Sequence, residues 1–236
     1  MRTHLASRLL FTIPSLAAAS LLAGCASRGT RIATPSLRAA DPPTRVARLS
    51  YLAGAVSFSP AGTDDWSSAV LNRPMTTGDN LWTGADARAE LHVGTAAVRL
   101  SSRTATGLLN LDDRTLQMKL SQGTLGLRIR SRDEEDTLEV DIPAAAISAL
   151  RTGEYRVEVS PDGGETRLIV WSGQLDVAAP GQTFVVHSGQ QARVYGADPV
   201  QYEVTAAPRR DSFDDFCSDR DRREERVGSL RMCRPR

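Results

Sequence analysis

The chain has 236 residues, 41% of them hydrophobic and 24% charged, the proportions of a globular protein of one domain or two small ones and not of a wholly disordered chain. Its 29 basic and 28 acidic residues leave a formal net charge of +1. That balance gives no chain-wide attraction for nucleic acid or an anionic surface, so no nucleic-acid partner is expected.

In chain order, the first element is a leader. Arg2 and Arg8 supply positive charge, and an apolar run from Leu9 to Leu22, broken by Thr12, Pro14, Ser15 and Ser20, ends in Leu22-Ala23-Gly24-Cys25. The run is too short for a permanent membrane helix. The segment resembles a bacterial lipoprotein signal peptide with its lipobox, against the alternative of an ordinary secretory signal that happens to contain a cysteine. The resemblance implies cleavage after residue 24, lipidation of Cys25 and attachment to a membrane through that lipid. Removing residues 1–24 takes away Arg2 and Arg8 and leaves 27 basic against 28 acidic residues, a net charge of −1. Ala26 follows the cysteine where an Asp would hold a lipoprotein at the inner membrane, so the expected address is the periplasmic face of the outer membrane. Residues 25–44 carry no apolar periodicity and close on Asp41-Pro42-Pro43-Thr44, which reads as a flexible tether.

From residue 45 to about 205, short runs of period-two hydrophobicity recur between glycines and other turn formers. Arg45 to Leu52, Ala55 to Phe58, Ala87 to Val93 and Ala96 to Leu100 come first, followed by Leu116 to Leu120 and, after Gly123, Leu125 to Ile129. Leu138 to Ile142, Ala146 to Leu150, Tyr155 to Val159, Thr166 to Trp171, Leu175 to Val177, Thr183 to Val186 and Ala192 to Tyr195 complete the set. In Ala87 to Val93 the apolar residues occupy one face and Arg88, Glu90 and His92 the other, the pattern of a strand with one buried and one wet face. The class is therefore all-β, as a two-layer sandwich or a short solenoid of many short strands, with antiparallel or edge-stacked sheets.

Residues 206–236 change character. Ser212 is placed to cap a single C-terminal α-helix, with Asp214 and Asp215 in its first turn and Arg222, Arg223 and Arg226 toward its end, as the helix dipole favours. Phe213, Phe216, Cys217, Arg220, Glu224 and Val227 share one side. The apolar face is confined to the first turns, so the helix is expected to pack its two phenylalanines on the β-domain and leave its second half in solvent. With Cys25 assigned to the lipid, Cys217 and Cys233 remain as a possible disulfide in an oxidising compartment.

The order of small motifs across Leu52 to Ala192 resembles the FecR domain. The matching pieces are Gly54-Ala55-Val56, Thr77-Gly78-Asp79-Asn80-Leu81-Trp82-Thr83-Gly84, Ala87-Arg88-Ala89-Glu90-Leu91, Val98-Arg99-Leu100 and Leu120-Ser121-Gln122-Gly123-Thr124-Leu125. Val140-Asp141-Ile142-Pro143, Arg151 to Val157 and Val186 to Ala192 continue the series, and Phe213 to Arg226 is similar to the segment that often follows this domain in lipoproteins. The resemblance implies a periplasmic β-domain that signals across the envelope through protein contacts. The sequence has neither a preceding cytoplasmic anti-sigma segment nor a second spanning helix, so direct control of a sigma factor is not carried over.

Chemistry-bearing motifs are sparse. His92 and His187 lie in strand patterns, and a metal pair, or a base for Ser188, would need distant residues to meet. Asp133-Glu134-Glu135-Asp136 lacks the alternating ligands and glycine of a calcium loop and reads as a solvated hairpin tip, as does Asp112-Asp113-Arg114. Trp66 sits in a polar loop and is expected to fold back on the sandwich, while Trp82 and Trp171 sit within apolar runs. Arginine accounts for every basic residue but Lys119, which codon composition explains better than phosphate recognition. No catalytic, cofactor or metal residue is assigned. The expected role is a non-enzymatic lipoprotein that binds an envelope protein or a cell-wall polymer, the rivals being a glycan or peptidoglycan hydrolase with paired carboxylates and a structural or assembly protein.

Overall fold

The computed structural model describes residues 45–196 and 199–232, with side chains as far as residue 226. The expected leader, the lipidated Cys25, the tether and Cys233 lie outside the described residues. The strands are β1 (Ala47–Ala53), β2 (Val56–Ser59), β3 (Ser67–Ser68), β4 (Pro74–Met75), β5 (Asn80–Thr83), β6 (Arg88–Val93), β7 (Ala96–Leu100), β8 (Ala105–Leu111) and β9 (Thr115–Ile129). They continue as β10 (Thr137–Ile142), β11 (Ala145–Ala149), β12 (Gly153–Val159), β13 (Glu165–Ser172), β14 (Gln174–Ala179), β15 (Gln182–His187), β16 (Gln190–Tyr195) and β17 (Gln201–Ala206), followed by the helix α1 (Ser212–Met232). The all-β class with a C-terminal helix is what the alternating runs predict.

Two sheets share one strand. Sheet A runs β4, β1, β6, β7, β9, β12, β13, β16, β17. Sheet B runs β3, β2, β5, β8, β9, β10, β11, β14, β15. Every pairing is antiparallel except β9 with β10, where the chain coils forward like a turn of a solenoid. The expected separate strands on either side of Gly123 are in fact one: β9 pairs with β8 in sheet B through Gln122 and with β7 in sheet A from Leu125. Gly123 is the corner, with φ of 93°, and a Cβ there would stand 2.4 Å from Thr104 Oγ1. Only glycine tolerates both the left-handed backbone and the close approach.

The sheets enclose a single hydrophobic core. Val98, Leu100, Leu127, Val157, Leu168 and Val170 enter it from sheet A, and Phe58, Leu81, Met118, Val140, Ile147 and Val177 from sheet B. Each such side chain contributes about 1.5–3 kcal/mol by leaving water. β12 shows the alternation without a break, with Tyr155, Val157 and Val159 buried and Glu154, Arg156 and Glu158 turned to the other face.

Three local expectations are corrected. Asp133 to Asp136 is not a hairpin tip, because β9 and β10 are parallel; the segment carries the chain from sheet A back to sheet B, and Arg132 donates to the carbonyl of Asp136 to hold it. Trp66 does not fold back on the sandwich but stands 52% exposed. β8 has no counterpart among the expected runs, since Gly107 and Asn110 interrupt its alternation and its register slips at Leu108–Asn110. Asp112-Asp113-Arg114 does turn a hairpin, with Asp112 Oδ1 accepting from the backbone amides of Arg114 and Thr115 at 2.8 and 2.7 Å.

Candidate functional site

The outward face of sheet A is where titratable groups converge, and α1 covers it. Its first turn is built by Asp211, not by Ser212 as the sequence suggests. Asp211 Oδ1 accepts from the amides of Phe213 and Asp214 at 2.8 and 3.2 Å, while Asp214 Oδ2 accepts from the amide of Asp211 at 2.9 Å. This reciprocal arrangement satisfies the free amides at the helix start. The same two carboxylates seat the helix on the sheet, since Arg156 of β12 donates to Asp214 Oδ2 at 3.0 Å and to Asp211 Oδ2 at 2.8 Å. Trp171 Nε1 donates to the other Asp214 oxygen at 3.3 Å.

One turn on, the contact is apolar and close. Phe213 and Cys217 are buried, and a Cβ on Gly126 of β9 would lie 3.2 Å from the Cys217 sulfur and 3.3 Å from the Phe213 ring. The missing side chain lets the helix sit down there. Phe216 packs on Tyr51 with ring centroids 5.5 Å apart, and the Arg88 guanidinium lies over the Phe216 ring at 4.7 Å. Burial pushes the Cys217 thiol up to about 12, which leaves it protonated and unreactive. From Cys217, α1 runs unbroken to Met232, about 20 Å further at 1.5 Å per residue.

Beyond Cys217 the expected solvent-exposed half of the helix is clasped instead. Arg220 Nη2 donates to Glu90 Oε1 at 2.6 Å, Asp221 Oδ1 accepts from Arg99 Nη2 at 2.7 Å and from Arg130 Nη2 at 2.9 Å, and Glu224 meets Arg130 and, at 2.6 Å, His92 Nε2. Beneath them Glu90 is fully buried and Arg99 nearly so, joined through Arg99 Nε at 2.7 Å, with Ser50 Oγ adding a further donor to Glu90 at 2.9 Å. Three carboxylates thus meet three guanidiniums and one imidazole. Burial alone would raise the Glu90 carboxyl, but His92, Arg220 and Arg99 outweigh it and hold the group well below the usual carboxylate range. The carboxylates of Glu224 and Glu90 overcome the burial of His92 and raise it to about 9, so it is cationic at neutral pH.

Glu90, His92 and Glu224 bring possible ligand atoms within 4.8 Å of one another. Each of the two carboxylates already answers a guanidinium, and with His92 cationic the cluster carries an excess positive charge to which a divalent cation would add more. The donor set does not fit a metal. His187 and Ser188 sit at the β15–β16 turn, where the His187 amide donates to Gln190 and Ser188 Oγ to the Trp171 carbonyl. A carboxylate pair exists at Glu139 and Asp141 on β10, both in reach of Gln117 Nε2, and burial followed by the Asp141 carboxyl raises Glu139. Neither residue lines a groove of about 660 Å³ that is bordered by Arg103, Gln122, Glu158, Glu165 and Arg167.

Sequence reasoning placed Arg220 and Glu224 on the same side of α1 as Phe213 and Phe216 but expected the helix's second half in solvent, and it placed Glu90 and His92 on one face of β6 without bringing the two together. The readable trace was Asp214, Cys217, Asp221 and Glu224 at intervals of three and four, an acidic stripe facing outward arginines at Arg99, Arg128, Arg130 and Arg156.

Residues 79–176 match the family model described as FecR protein, a narrower span than the motifs from Leu52 to Ala192. No curated protein matches the chain. Two crystal structures of a proposed anti-sigma factor from Parabacteroides distasonis ATCC 8503 resemble it, each at 14% identity over 54% of this chain and 59% of theirs, with TM-scores of 0.48 and 0.47. The chain thus spans under two thirds of those structures. No helix among the described residues is long and apolar enough to cross a membrane.

Proposed function

We propose that this chain is a non-enzymatic cell-envelope lipoprotein whose FecR-like β-domain binds another protein, with the outward face of sheet A as the binding surface and α1 as its cover. The observation that carries the reading is the chemistry of that face. It holds a helix through many charge pairs, with apolar contact among the described side chains at Tyr51, Gly126, Phe213, Phe216 and Cys217. A sheet face built to hold a helix by charge is suited to protein recognition, because charged contacts set orientation and choice of partner more than they add affinity. A role in envelope signalling extends this reading from the FecR match at residues 79–176.

Anchoring through Cys25 belongs to the same proposal and rests on the lipobox sequence. Replacing Cys25→Ser should move the protein from the membrane fraction to the soluble fraction, and membrane retention of the variant would refute the anchor. Crosslinking in intact cells tests the binding reading. A reproducible protein adduct should form from residues flanking α1, such as Arg88 or Arg128, and adducts confined to peptidoglycan would replace protein binding with cell-wall binding.

A further inference from the structure

The two ends of the sandwich are finished differently. At one end the sheets stop in β3 and β4, strands of two residues each, too short to template another chain. At the other end sheet A stops in β17, a six-residue strand that pairs only with β16 among the described residues and does so in unbroken register. Its sequence, Gln201-Tyr202-Glu203-Val204-Thr205-Ala206, carries no lysine, proline or bulge, the usual devices that blunt an edge. Its core-facing side is also unfinished. Tyr202 pairs with Val194 and Val204 with Ala192, both wholly buried, yet Tyr202 and Val204 remain 40% and 37% exposed because no strand among the described residues lies beyond them. Tyr202 stacks on Phe184 of β15 at 3.8 Å, so the core's apolar layer reaches the open edge.

We propose that β17 pairs antiparallel with β17 of a second copy, joining two A sheets into one continuous sheet across a two-fold axis at Val204. A two-fold axis normal to the sheet keeps each face continuous only when residues of equal parity oppose one another. Centred on Val204, it sets Val204 against its own copy, Tyr202 against Ala206 of the second copy, and Glu203 against Thr205 of the second copy. Centred on Glu203, it would oppose two carboxylates, which disfavours that register. The chosen register covers the exposed core-facing pair with apolar atoms and leaves Glu203 in solvent. α1 lies over β6, β7, β9 and β12, at the other part of the sheet, so this inference stands independently of the proposed function.

The test is a cysteine scan of the full chain in a Cys233→Ser background. Directly opposed strand residues have Cα atoms about 4.5–5.5 Å apart, within disulfide reach, so under mild oxidation Val204→Cys should give about ten-fold more covalent dimer than Gln201→Cys. Val204→Lys, which opposes two ammonium groups only in the dimer, should shift the unlipidated chain to monomer in sedimentation while leaving its circular dichroism spectrum unchanged and removing the concentration dependence of its melting. A wild-type chain that stays monomeric at high concentration, or equal crosslinking at both positions, would overturn the proposal. Crosslinking of Val204→Cys in cells to a chain of another mass, without the self-dimer, would assign the edge to a foreign strand and overturn it equally.

Discussion

The inter-sheet core and the α1 interface hold the molecule by opposite means. Between the sheets, leucine and valine side chains meet from both layers and the free energy comes from removing apolar surface from water. Under α1, the described apolar contacts involve Phe213, Phe216, Cys217, Tyr51 and Gly126, and beside them lies a set of carboxylates and guanidiniums around a buried Glu90. Such a cluster adds little net stability, because desolvation offsets most of the Coulombic gain, but removing one member leaves a buried charge without a partner. The core therefore fixes that the domain folds, and the clasp fixes where the helix lies.

The sharpest way to separate them is to cut each in turn. Glu90→Ala takes one of two carboxylate partners from the buried Arg99 and the sheet partner from Arg220, and we expect a loss of about 3–5 kcal/mol in the docking of α1, read as early proteolysis of the helix while the β-domain still melts cooperatively. Leu168→Ala, at a fully buried site, should cost about 2–5 kcal/mol and lower the melting of the whole domain, helix and sheets together. If Glu90→Ala instead destabilises the sheets as much as Leu168→Ala does, the two regions are one cooperative unit and the contrast fails.

Acidity gives the next largest effect. His92 is raised to about 9 in the folded protein from an ordinary 6.5, so its contribution is fully present below pH 6.5 and is lost as pH rises through 9. With a third of the side chain in water, screening reduces this to about 1–2 kcal/mol. Hydrogen exchange in α1 should speed up between pH 6.5 and 9 beyond the chemical trend, and His92→Gln should abolish that excess. At the small end, the exposed pair of Asp219 and Arg222 faces away from the sheet, and Arg222→Ala should change stability by under about 0.5 kcal/mol. A larger effect would show that the clasp reaches further round the helix.

How much was legible follows the same division. Tyr155, Val157 and Val159 alternate in the sequence as they do in the core, since a half-buried strand needs a period of two. The FecR-like motifs from Ala87 to Val157 fall in the span that matches the family, and Thr77 to Gly84 nearly so, whereas Gly54-Ala55-Val56 and Val186 to Ala192 lie outside it. By contrast, Glu90, Arg99 and His92 read as solvent-facing, because a strand's polar face looks the same whether water or a helix covers it. Gly123 read as a turn because positive φ is common to hairpins and to the corner it makes between sheets.

What the chain determined by itself was therefore local and periodic: strands, their buried faces, the helix and its acidic first turn. Tertiary structure alone decided that β9 belongs to both sheets, that Asp211 and not Ser212 caps α1, and that Arg220, Asp221 and Glu224 close over Glu90. Backbone periodicity and turn chemistry act over a few residues and leave a mark in sequence. Pairing Glu90 with Arg220 spans 130 positions, and only the folded chain brings them to hydrogen-bond distance.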